Sequence, residues 1–116
     1  MPGAEHLRDS VELQQMLIKQ NSQGKLISAI CAAPAVALSP LGILNGKKAT
    51  CYPAAKFRDL LQKEFTSSAA IVVDQNIITS QGPATSLIFS LTLVELLYGT
   101  ALREKLLKEM CLDLVM

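Results

Sequence analysis

Lys25-Leu26-Ile27-Ser28-Ala29-Ile30-Cys31-Ala32-Ala33-Pro34 is an apolar run that ends on a cysteine and passes at once into small residues and a proline. Read physically, Leu26 to Ile30 is a strand and Cys31 is the tip of a strand-to-helix corner. Such a corner forces a tight backbone at its tip and lifts the side chain out of the sheet. The unsatisfied N–H groups at the start of the following helix then favour a thiolate over a thiol. The same ten residues also fit an ordinary buried cysteine, because free cysteine is among the most buried residue types. A motif of this kind counts only within its structural context.

Outward from this corner, helical and strand patterns alternate, which is the mark of an α/β layer structure. Upstream, Asp9 or Ser10 caps a helix whose Val11, Leu13, Met16, Leu17 and Ile18 partly keep helical spacing, and Gly24 closes it. Downstream, the pattern predicts a short helix through Ala37, with Pro34 tolerated in its first turn and Ser39-Pro40 ending it. Gly42 to Gly46 reads as a turn, Lys48 to Cys51 as a short strand, and Pro53 as the start of a helix carrying Phe57, Leu60 and Leu61. Ala70 to Val73 and Asn76 to Thr79 flank Asp74-Gln75 and read as a hairpin. Gly82-Pro83 opens the longest helix, which ends at Gly99. A last helix runs from about Ala101 to Leu112, with Leu102, Leu106, Leu107 and Met110 on one side. The whole is one domain over residues 1–116, without internal repeats.

Composition narrows the function classes. The chain has 116 residues, 50% hydrophobic and 18% charged, which is enough for a core. Its formal net charge of +1 comes with scattered lysines and arginines rather than a basic stripe, and with no tryptophan. Both facts argue against nucleic acid binding. The apolar stretch Leu87 to Leu97 is interrupted by Ser90, Thr92 and Glu95, too short and too polar for a membrane span. No secretory signal is read at the N-terminus. Three widely spaced cysteines fit a reducing compartment, so the expected location is cytoplasmic, and their spacing gives no support for a metal site. The single histidine, His6, is expected on the surface.

Ala29-Ile30-Cys31-Ala32-Ala33-Pro34, followed by Ile78-Thr79-Ser80-Gln81-Gly82-Pro83-Ala84-Thr85-Ser86, resembles the ThiJ/PfpI superfamily. Within it, the chain looks like the branch containing the parkinsonism-associated deglycase and its bacterial and plant relatives. Gly3 to Ser10 and Lys48-Ala49-Thr50-Cys51-Tyr52-Pro53 extend it over nearly the whole chain. The resemblance implies a flavodoxin-like, class I glutamine amidotransferase-like three-layer α/β sandwich, here without the first strands of the sheet. Met1 falls where the family has finished a glycine-rich loop. A sheet that has lost strands leaves apolar area in water, so the chain is expected to be unstable alone unless it belongs to a longer product or a swapped dimer.

The same resemblance implies a cofactor-independent, metal-free cysteine enzyme acting on small reactive aldehydes such as methylglyoxal or on glycated substrates, commonly as a homodimer. Cys31 is its nucleophile, and Ala32, Tyr52, Gly82 and Pro83 are the oxyanion and pocket residues. Tyr52 stands where many relatives place a histidine. A protonated glutamate and a glycine amide that serve the family's cysteine belong to the part before Met1, and neither Glu5 nor Glu12 takes over that role. Gln81 to Ser86 also reads simply as a helix start, with proline presetting the backbone, and Cys51 and Cys111 read as packing residues. The alternative reading is a noncatalytic redox-sensing or chaperone-like protein that keeps the corner without a complete pocket.

Overall fold

In a computed structural model, which describes residues 2–115, two helices precede the first strand: α1 (Gly3–Asp9) and α2 (Val11–Ser22). Ser10 separates them by capping α2, its hydroxyl accepting from the Leu13 amide at 3.2 Å. Just beyond α2, Gly24 takes a positive φ of 67° and its amide bonds back to the Asn21 carbonyl at 3.0 Å, turning the chain toward the sheet.

The sheet has three strands, β1 (Ile27–Ile30), β2 (Ile71–Asp74) and β3 (Ile77–Ser80), in the order β1-β3-β2. β3 lies in the middle, parallel to β1 with Ile27 opposite Ile77, and antiparallel to β2 with Asp74 opposite Ile77. The β2–β3 connection is the expected hairpin, closed by two residues of which Gln75 adopts a left-handed φ of 57°. All four residues of β3 are buried. Strand side chains alternate between faces, so burial along the whole strand means that both faces are covered. Ile77 belongs to the main core with Ile27, Ala32, Ala35, Val36 and Leu38. Ile78, on the opposite face, stands outside that cluster.

Four local expectations are corrected. After Cys31 the chain forms a π-helix, Pro34–Leu38, and Ser39-Pro40 does not stop it: a 3-10 turn, Ser39–Leu41, follows directly. The run Pro34 to Leu38 is buried on every side, so no polar face holds it to α-helical spacing. Lys48 to Cys51 is not a strand of the sheet. It makes one isolated parallel bridge, Ala49 with Thr66, and is held by the Thr79 hydroxyl, which accepts from the Thr50 amide at 3.0 Å. The helix after Pro53 is the single turn α3 (Ala55–Arg58), with Leu60 and Leu61 beyond it. Gly82-Pro83 opens a 3-10 turn, Pro83–Thr85, before α4 (Ser86–Tyr98) begins. α4 ends at Gly99 and α5 spans Thr100–Glu109, followed by a 3-10 turn at Leu112–Leu114. Among the described residues no helix is long and apolar enough to cross a membrane.

Candidate functional site

Cys31 stands at the C-terminal end of β1 in the left-handed conformation, with φ 65°. A non-glycine residue there carries a steric cost of roughly 1–2 kcal/mol, and its neighbours hold it in place. Its amide donates to the Ser80 carbonyl at 2.9 Å, continuing the β1–β3 ladder by one residue, and its carbonyl accepts from the Tyr52 amide at 2.7 Å. The backbone is thus clamped on two sides while the half-buried thiol is free. The strand-to-helix corner is present, but the helix after it is a five-residue π segment that begins on a proline. A long helix dipole is therefore not aimed at the thiol.

A cleft of about 460 Å³ opens beside the corner. Ser28, Cys31 and Ala32 form one wall, while Leu7 of α1 with Leu13 and Leu17 of α2 form the other. The cleft is mostly apolar, and among the described residues no acidic side chain lines it. None of the three leucines was assigned to a site from the sequence; Leu13 and Leu17 carried the helical spacing that placed α2, and Leu7 carried no signal beyond its apolar side chain. Ala32 is buried in the wall directly after the cysteine.

Tyr52, Gly82 and Pro83 stand outside the walls of this cleft. Tyr52 touches the site through its main chain, by the bond to Cys31. The residue is 44% exposed, and its ring packs edge-on against Phe57 with centroids 6.2 Å apart and lies 3.8 Å from where a Cβ on Gly82 would sit. Pro83 is exposed. The Thr85 hydroxyl is engaged within its own turn: it donates to the Gly82 carbonyl at 2.8 Å, accepts from the Gly82 amide at 3.2 Å, and pairs with the Ser80 hydroxyl. Having spent its single proton on Gly82, Thr85 must be the acceptor from Ser80. This network ties the end of β3 to the start of α4 through Ser80, the same residue whose carbonyl holds Cys31.

The other cysteines differ sharply. Cys51 is 1% exposed, and burial pushes its thiol up from the ordinary value; Arg58 works in the opposite direction and the Cys31 sulfur adds to the rise. Its Sγ lies 3.4 Å from the Tyr52 carbonyl. Cys111, after α5, is exposed with φ 57°. His6 is exposed on α1. Two buried side-chain oxygens, Glu5 Oε2 and Thr50 Oγ1, have no hydrogen-bond partner among the described residues. No group of three or more histidine, cysteine or acidic side chains converges on a point suited to a metal ion among the described residues.

A partly parallel sheet flanked by helices, with a left-handed cysteine at a strand end beside an apolar cleft, defines an α/β protein. A profile of the DJ-1/PfpI family matches residues 1–96, and the chain belongs to that family. It is 45% identical over 100 residues to Protein DJ-1 homolog B of Arabidopsis thaliana, covering 85% of this chain and 22% of that one. It is 34% identical over 111 residues to the glutathione-independent glyoxalase DJR-1.2 of Caenorhabditis elegans, covering 96% and 59%. Among solved structures, oxidized Toxoplasma gondii DJ-1 superposes with a TM-score of 0.90 at 41% identity, over 96% of this chain and 59% of that one. The chain spans 22% to 51% of the length of the first relatives it matches.

Proposed function

We propose that this chain carries the nucleophile of a cysteine-dependent, cofactor-independent glyoxalase or deglycase acting on methylglyoxal, glyoxal or their adducts. The observation that carries the reading is Cys31 itself, held in a left-handed conformation at the end of β1 with its thiol unbridged beside an apolar cleft. The Caenorhabditis elegans relative named as a glutathione-independent glyoxalase supports the substrate class.

In this reading the Cys31 thiolate attacks the aldehyde carbon of methylglyoxal and the new alkoxide takes a proton, giving a hemithioacetal. A proton then moves from that carbon to the adjacent carbonyl carbon through an enediol, leaving a thioester. Water cleaves the thioester, releasing a hydroxy acid and the thiol. The proton carrier is a carboxyl group outside the described cleft, since no acid lines it. Ala32 follows the nucleophile and its amide is the candidate oxyanion donor. Tyr52 and the Gly82-Pro83 turn act by holding the corner. A homodimer in a cytoplasmic setting belongs to the same proposal.

Turnover of methylglyoxal should fall at least a hundredfold in Cys31→Ala and persist within a few-fold in Cys51→Ala and Cys111→Ala. Equal activity in Cys31→Ala would overturn the assignment. Absence of turnover in the parent chain, together with Cys31-dependent oxidation by peroxide, would favour the redox-sensing alternative, for which the oxidized state of the Toxoplasma gondii structure speaks.

A further inference from the structure

Thr79 puts a hydroxyl into the core of the sheet. It is the third residue of β3, has no solvent exposure, and by strand alternation shares the face of Ile77, which the main core covers. A hydroxyl buried there needs a partner. Its partner is the Thr50 amide, which donates to Thr79 Oγ1 at 3.0 Å. Thr50 is itself unexposed and belongs to none of the three strands, so no ladder of the sheet serves its N–H.

That bond closes a ring around Cys31. Thr79 is followed by Ser80, whose carbonyl accepts from the Cys31 amide at 2.9 Å, and the Cys31 carbonyl accepts from the Tyr52 amide at 2.7 Å. From Tyr52 the chain runs back through Cys51 to Thr50, whose amide returns to Thr79. Three hydrogen bonds and the short pieces of chain between them thus form one circuit, with the left-handed residue inside it. Two of the bonds join main chain to main chain. The third depends on a side chain, the hydroxyl of Thr79.

Closure matters because a non-glycine residue keeps a left-handed conformation only where its surroundings over-determine it. Ala49 ties the segment before Tyr52 to residues 65 and 67, its amide donating to the Phe65 carbonyl at 3.1 Å and its carbonyl accepting from the Ser67 amide at 2.8 Å. The Thr79 hydroxyl ties the same segment to β3, the strand that also holds the Cys31 amide. Without that hydroxyl the buried Thr50 amide is unpaired, and the segment gains by shifting toward another acceptor, carrying the Tyr52 amide with it.

We propose that Thr79 is a positioning residue for Cys31: its hydroxyl fixes Thr50, and through it the Tyr52 amide that holds the Cys31 carbonyl, so that the thiol keeps its place at the cleft. The proposal rests on the reading of Cys31 as the nucleophile. Thr79 is not among the residues that line the cleft, so it acts through the backbone and not on a substrate.

The test is the rate at which iodoacetamide alkylates Cys31 in the folded full chain, followed by peptide mapping with exposed Cys111 as the internal reference. Thr79→Val nearly keeps the shape of threonine and loses the acceptor; it should slow Cys31 at least tenfold and leave Cys111 unchanged. Thr79→Ser keeps the acceptor and should stay within threefold of the parent. With methylglyoxal as substrate, Thr79→Val should lower kcat at least tenfold with KM within threefold. A Thr79→Val chain that is less stable yet alkylates Cys31 at the parent rate or faster would overturn the proposal, by leaving Thr79 a structural role alone. If Thr79→Val fails to fold, amide exchange in the parent decides: the Thr50, Tyr52 and Cys31 amides should open as one unit, and a Thr50 amide that opens at least tenfold more readily than that of Cys31 would overturn the ring. A parent in which Cys31 reacts no faster than Cys111 would bring down the nucleophile reading and the proposal with it, a result visible before any variant is made and so distinct from a failure at Thr79.

Discussion

β3 and β1 are neighbours in one sheet with opposite surroundings. β3 has a partner on each side and all four of its residues are buried, whereas β1 is paired on one side and exposes Ser28 at its middle. The difference separates two tasks. β3 holds the corner, because its last carbonyl fixes the Cys31 amide and its last hydroxyl binds Thr85 at the foot of α4. β1 presents the corner, because its open side leaves the thiol reachable.

The largest effect expected from this division is on stability. Ile77→Ala, at a residue with no solvent exposure, should cost about 2–5 kcal/mol in a urea titration. Ser28→Ala, on the open strand, should stay within about 0.5 kcal/mol. Equal costs at the two positions would erase the distinction between them.

A smaller effect of opposite sign is expected at the tip. Cys31→Gly relieves the left-handed strain at φ 65° but adds freedom to the unfolded chain, so it should stabilise the fold by no more than about 1 kcal/mol. It would do so while removing the proposed nucleophile. Destabilisation by more than about 1 kcal/mol would mean that the thiol packs as a core side chain.

The smallest effect is a pH dependence, and it belongs to the buried side of the corner. Because burial raises the Cys51 thiol in the folded state, folding retains a proton that the unfolded chain gives up at higher pH. That contribution is complete below the ordinary thiol pKa of about 8.5 and is lost as pH climbs through the folded value. Urea midpoints should therefore decline above about pH 8.5 in the parent chain, and less so in Cys51→Ala. An identical decline in both would assign it to other groups.

Much of the frame was legible because its signals are local. The apolar run into Cys31 placed β1 and the corner, Ser10 and Gly24 bracketed α2, and Asp74-Gln75 between two apolar runs placed the hairpin even without a glycine, its turn falling one residue later at Gln75-Asn76. The ThiJ/PfpI resemblance of the two motifs is matched by the DJ-1/PfpI family assignment. Less legible were the segments fixed by distant partners. Thr50 is held by Thr79 and Tyr52 by Cys31, contacts that give Lys48 to Cys51 an extended form without making it a strand of the sheet. Pro34 to Leu38 carries no polar residue to mark a face, so its π geometry left no trace in the spacing. Leu13 and Leu17 of the cleft wall were visible as a helix stripe, but which surface they faced depended on how α1 and α2 pack against β1.

The central claim, that the corner rather than exposure makes Cys31 the reactive cysteine, is tested most directly by brief treatment of the folded chain with a small excess of hydrogen peroxide. Peptide mapping by mass spectrometry then compares half-buried Cys31, buried Cys51 and exposed Cys111. The account predicts addition of two oxygens at Cys31 ahead of Cys111, with Cys51 unchanged. Oxidation that follows exposure, with Cys111 first and Cys31 no faster than a free thiol, would contradict it.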